Sequence, residues 1–130
     1  MKFMLMMNTP TGGDYQIFRW PEQDIKAHVA FMQNMNAKLK KNGEFVDGQG
    51  LSAPSKAKLV KAAPDGHPIT DGVFAESKEF LAGFWVVDVA TPERAYEIAA
   101  EVSLAPGIGG KPMFMSLEVR EVMFVTPKEG

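Results

Sequence analysis

The sequence predicts an α+β protein, a ferredoxin-like βαβ-βαβ sandwich with an extra edge hairpin. Three observations predict it. Lys2–Met7 and Phe84–Val89 are apolar on both alternating faces, as strands in the interior of a sheet are. Segments 21–42 and 91–102 repeat apolar residues at helical spacing. The elements then run β-α-β, hairpin, β-α-β, an order that packs two helices on one side of an antiparallel sheet. That topology sets the first and third main strands side by side at the centre, and these are the two runs with two apolar faces.

Lys2-Phe3-Met4-Leu5-Met6-Met7 is the first strand. Pro10, Gly12 and Gly13 break the stretch that follows into an irregular loop. A helix is predicted over Pro21 to Asn42, with Pro in its first position and acids in its first turn. Ile25, Val29, Met32, Asn36 and Leu39 recur at spacings of 4, 3, 4 and 3 and mark its inner face. Lys38, Lys40 and Lys41 load the last turn with cations, and Gly43 supplies a left-handed exit. At about 100° per residue, His28 falls within the apolar side of this helix.

Phe45-Val46 reads as a strand running into a bend at Asp47-Gly48-Gln49-Gly50. Residues 57–61 alternate like an edge strand with its lysines to water, and 63–68 form a loop. Thr70-Asp71-Gly72 is read as a tight turn, followed by Glu76, Lys78 and Glu79 at the entrance to the apolar strand 80–89. Thr91 is the N-cap of the second helix, Pro92 its first residue, and Ala95, Ile98, Ala99 and Val102 its buried face. Residues 106–110 end that helix. Met115, Leu117 and Val119 alternate with Ser116, Glu118 and Arg120 as a strand with one oily and one polar face. One domain over 1–125 and a loose tail over 126–130 are expected.

The totals agree with one folded domain: 130 residues, 45% apolar, nine Phe. A net charge of −2 without a basic stripe argues against nucleic acid as a partner. The absence of cysteine removes disulfides, thiolate nucleophiles and Cys-based zinc sites. No apolar run approaches a membrane span, the Met-rich start is too short for a signal peptide, and a cytoplasmic protein is expected. Two helices cover only one face of the sheet. The other, carrying Phe3 or Met4 and residues of 84–89, needs a cover, and a second copy is the simplest one. A homodimer packed sheet to sheet or barrel-like is therefore expected.

Asp71-Gly72-Val73-Phe74-Ala75-Glu76, with Lys78-Glu79 and Gly83-Phe84 after it, resembles the DGPF signature of YCII-related (YciI-like) domain proteins. The Met-rich first strand, Phe31-Met32 on the long helix, the Asn42–Phe45 and Gly48–Leu51 stretches and the late Glu118-Val119-Arg120 extend the resemblance over essentially the whole chain. Val73 stands where the family usually has proline, which loosens the turn, and Glu121 stands where a proline usually follows Glu-Val-Arg. The resemblance implies a ferredoxin-like fold of the dimeric α+β barrel type, with small-molecule chemistry in a cleft between helices and sheet. It also implies a His–Asp pair, as associated with the YciI branch. It supplies no reaction.

Two readings stay open for each candidate residue. Asp71 is a turn former or a pocket carboxylate that orients a histidine. His28 is a hydrogen-bonded core residue or, with Asp71 as partner, a base. His67, in a Pro/Gly/Asp loop, is expected to be exposed. Glu76, Lys78 and Glu79 are a solvated charge run at the strand entrance, or one carboxylate pairs with Arg120, on the polar face with Glu118. Glu76, Lys78 and Arg120 are the candidates for contact with an anionic ligand. Gly107–Lys111 lacks the ending and the placement of a phosphate loop, two histidines make no metal site, and no cofactor is implied. The nine Met are core filler and interface. The sequence thus supports a small-molecule enzyme doing acid–base chemistry, such as elimination or isomerisation, with His28 and Asp71. The alternative is a non-catalytic ligand-binding or regulatory dimer linked to transcription.

Overall fold

The computed structural model describes residues 1–10, 17–72 and 79–123. Glu76, Lys78, the 73–76 part of the signature and the tail 126–130 lie outside them.

Four strands, β1 (Lys2–Pro10), β2 (Phe45–Gly50), β5 (Glu79–Asp88) and β6 (Leu117–Glu121), form an antiparallel sheet in the order β2-β5-β1-β6. This is the ferredoxin-like order, with the two runs apolar on both faces at its centre. Helices α1 (Glu22–Lys41) and α2 (Pro92–Val102) contribute to a single core with one face of that sheet. Phe3, Leu5 and Met7 point into it from β1, and Trp85 and Val87 from β5, in the alternation a pleated strand imposes. Met4, Met6, Phe84 and Val86 stand on the other face, half-buried.

The second helix forms as its residues predict. Thr91 accepts the Arg94 backbone N–H at 3.2 Å as N-cap, Pro92 is the first residue, and Ala95, Ile98, Ala99 and Val102 are the buried set. Arg94 forks onto Glu44 at 2.8 and 2.9 Å, tying α2 to the turn after α1. That guanidinium holds the Glu44 carboxyl below its usual range.

α1 starts one residue later than expected, with Pro21 as its N-cap, and leaves through Gly43 at φ 74°. Its inner face is rotated from the apolar stripe. The buried residues are Asp24, His28, Met35 and Leu39, and Val29 is exposed at the edge. Sequence hydropathy discounted Asp24, which a hydrogen bond makes cheap to bury, whereas His28 is buried on the side where its azimuth put it.

Two further expectations change. The Gly-rich stretch 47–50 is not a bend after a short strand; it is the body of β2, pairing Gly48 with Trp85 and Gly50 with Gly83 beyond a bulge at Val46. Asp71 and Gly72, expected in a tight turn, are in strand pairing: they end β4 (Pro68–Gly72), paired with β3 (Lys58–Ala62), and the connection 73–78 lies outside the described residues. The loop expected over 63–68 is the β3–β4 turn, where Ala63 N–H donates to His67 O and Gly66, at φ 92°, donates to Ala63 O, both at 2.8 Å. The hairpin is a separate two-stranded sheet, not an added edge of the main one, and β3 is exposed along its whole length.

Candidate functional site

A cleft of about 430 Å³ opens between α1 and the β2–β5 side of the sheet. From α1 it takes His28, Val29, Met32, Gln33 and Asn36, spaced so that one flank of the helix forms its wall. Opposite stand Trp85 and the backbone of Gly48–Ser52 and Ala82–Gly83. The sheet comes this close because of two glycines. A Cβ on Gly83 would lie 2.9 Å from Gln49 O, and one on Gly48 would lie 3.1 Å from Trp85 Cδ1. The Leu51 N–H continues the pairing past the end of β2 by donating to Ala82 O at 2.9 Å.

His28 is 3% exposed. Its Nδ1 lies 2.9 Å from the Pro106 carbonyl oxygen. A carbonyl only accepts, so Nδ1 carries the hydrogen and Nε2 holds the lone pair of the neutral ring. Burial disfavours the imidazolium and lowers the ring's pKa; the Pro106 bond pushes the other way, more weakly. The ring also stands edge-on to Trp20, 5.4 Å between centroids at 87°. One helical turn earlier, buried Asp24 accepts the Gly109 N–H at 3.2 Å. Two polar side chains of α1 thus hold the 106–109 loop against the helix. Two turns after His28, Asn36 Oδ1 accepts the Trp85 indole N–H at 2.8 Å.

Asp71 is exposed, near the end of the β3–β4 hairpin, and is not among the lining residues. Arg120 pairs in register with Met4, so its exposed side chain lies on the sheet face away from the helices, 3.7 Å from Glu118. The Glu–Arg pair there is a surface pair of small energetic weight. His67 is exposed beside Asp65, as its loop composition implied. Among the described residues no three His, Asp or Glu side chains gather as metal ligands, and no helix is long and apolar enough to cross a membrane.

Asp24, Asn36 and the Gly48–Ser52 segment were not singled out from sequence as site residues. Two signals pointed to them. An acid four residues before a histidine places both on one helix flank, and an asparagine inside an apolar repeat calls for a buried partner.

An uncharacterised protein of Rhizobium meliloti (strain 1021) is 26% identical over 110 residues, covering 85% of this chain and 85% of that protein. The YCII-related domain family matches residues 1–109, which hold α1, the whole cleft wall and the loop that His28 and Asp24 grip. By that match, which spans most of the sequence, the chain belongs to the YCII-related domain family.

Proposed function

We propose that the protein is a small-molecule enzyme that moves a proton in the α1–sheet cleft, with His28 Nε2 as base. The observation that carries this reading is the His28–Pro106 bond: it fixes the tautomer, while burial keeps the ring neutral and able to accept a proton. Elimination and isomerisation beside a carbonyl are the reactions such a group serves. Asp71 as orienter is a separate proposal. Nδ1 is engaged by Pro106, so a carboxylate could reach the ring only through Nε2 and would compete with its work as base. Arg120, on the sheet face away from the helices, has no part in this step, and Glu76 and Lys78 as ligand contacts are a separate proposal. The same reading takes the protein as a homodimer, supported by the apolar, half-buried Met4, Met6, Phe84 and Val86 on the face that no helix covers.

A second reading has an observation of its own. His28 and Asp24 both hold the 106–109 loop, so His28 serves as a latch in a cleft that binds without chemistry. His28→Gln separates the two, because a glutamine amide still donates to a carbonyl but is no base. Compounds that bind the unaltered protein from a metabolite mixture are incubated with it in D2O, and hydrogen exchange beside their carbonyl groups is followed by NMR. Exchange that His28→Gln abolishes, at unchanged melting temperature, is the expected result. Exchange that persists in His28→Gln removes His28 as base; binding with no exchange in the unaltered protein leaves the latch reading.

A further inference from the structure

Asn36 stands eight residues after His28, about 12 Å along the α1 axis. An indole N–H can only donate, so the Trp85 bond at 2.8 Å settles which way the Asn36 amide is turned. The oxygen faces Trp85 and the nitrogen is the end left for the cleft. Asn36 is half-buried and lines that cleft, and among the described residues no acceptor meets its Nδ2. Trp85 is itself held, buried against Gly48 where no Cβ would fit comfortably. The Trp85 N–H is spent on Asn36 Oδ1, and the Asn36 Nδ2 hydrogens are therefore fixed in direction before any ligand arrives. Their surroundings are Met32 and Leu51, with the uncharged amide of Gln33 one turn back along the helix.

We infer that Asn36 is a positioning and specificity-determining residue, which holds a neutral carbonyl oxygen of the ligand at Nδ2. This deepens the proposal for the cleft and rests on it. The oxygen sits at the Asn36–Trp85 end, and the rest of the molecule extends along α1 toward His28. A fixed amide donor suits an uncharged acceptor such as an amide, ketone or ester. A carboxylate is better matched by a cation, and none of the described lining residues carries a formal charge.

The test uses ¹⁵N-labelled full-length protein and two probes of one shape, 3-phenylpropanamide and 3-phenylpropanoate. The amide is expected to move the Trp85 indole and Asn36 side-chain signals saturably, and the carboxylate to leave them in place. Asn36→Asp keeps an oxygen for Trp85 and removes the donor, and is expected to weaken the amide about tenfold. The ligand-free Trp85 signal should stay near its hydrogen-bonded position in that variant, which a merely structural loss would not allow. Equal amide affinity in Asn36→Asp overturns the inference and leaves the cleft reading standing. So does preference for the carboxylate, a comparison within the unaltered protein that needs no variant to fold. Saturation of neither probe in the unaltered protein overturns both.

Discussion

His28 carries two consequences in one ring. Its Nδ1 bond sets the tautomer, and burial lowers its pKa from the usual 6.5. In the unfolded chain the same group titrates at its usual value. Below about pH 6.5 the unfolded chain therefore takes up a proton that the folded chain resists. The His28 contribution is unpenalised above that pH and is lost as the pH falls through the folded value. Urea unfolding at stepped pH is expected to show stability falling from about pH 6.5 downward, with the fall flattened in His28→Gln. An unchanged slope in the variant would assign it to other groups. Glu44, held low by Arg94, loses its contribution in more acidic solution and cannot substitute for this one. The burial of His28 was legible in sequence from its azimuth on the helix. Its Pro106 partner was not, because residues 78 apart share no local pattern.

Among the elements, β5 and α2 were the most legible. Each carries its message in its own residues: two apolar faces in one, a cap and a complete inner stripe in the other. β2 was legible only at Phe45-Val46, because glycine in a strand reads as a breaker unless the neighbour that needs it is known. Gly48 and Gly83 are there so that β2 and β5 can close over Trp85. Gly83→Ala puts a methyl 2.9 Å from a backbone oxygen, which no side-chain rotation relieves. It is expected to cost about 2 kcal/mol or more in urea unfolding and to shift the backbone signals of 48–51. A neutral effect on both would mean that the strands separate there without strain. The Asp71-Gly72 pair misled in the opposite direction. It is a strong turn signal in isolation, yet both residues stand in strand pairing at the end of β4.

For the whole molecule, the proposed dimer rests on the open face of the sheet. Met4 and Val86 are register partners at its centre. The protein is expected to sediment as a particle of twice the 14.3 kDa chain mass, and Met4→Glu with Val86→Glu to sediment as one chain. Sedimentation of the unaltered protein as a single chain at micromolar concentration would remove the second copy as cover. The fold was legible at this scale because alternation and element order constrain each other. A cleft between helices and sheet came only from the family resemblance, and its lining was not legible: its two walls, α1 and the β2–β5 pair, are adjacent only once the sheet has closed.

The grip of Asp24 and His28 on the 106–109 loop also sets a timetable. The two bonds span 85 and 78 residues, so during synthesis α1 is complete long before its partners leave the ribosome. Until Pro106 arrives, nothing in this pair of bonds selects the His28 tautomer, and the ring is spared the burial that keeps it neutral. The proposed proton transfer would thus need the chain through Gly109. A chain released before Gly109 could hold its helix and still lack the bonds that set the His28 tautomer.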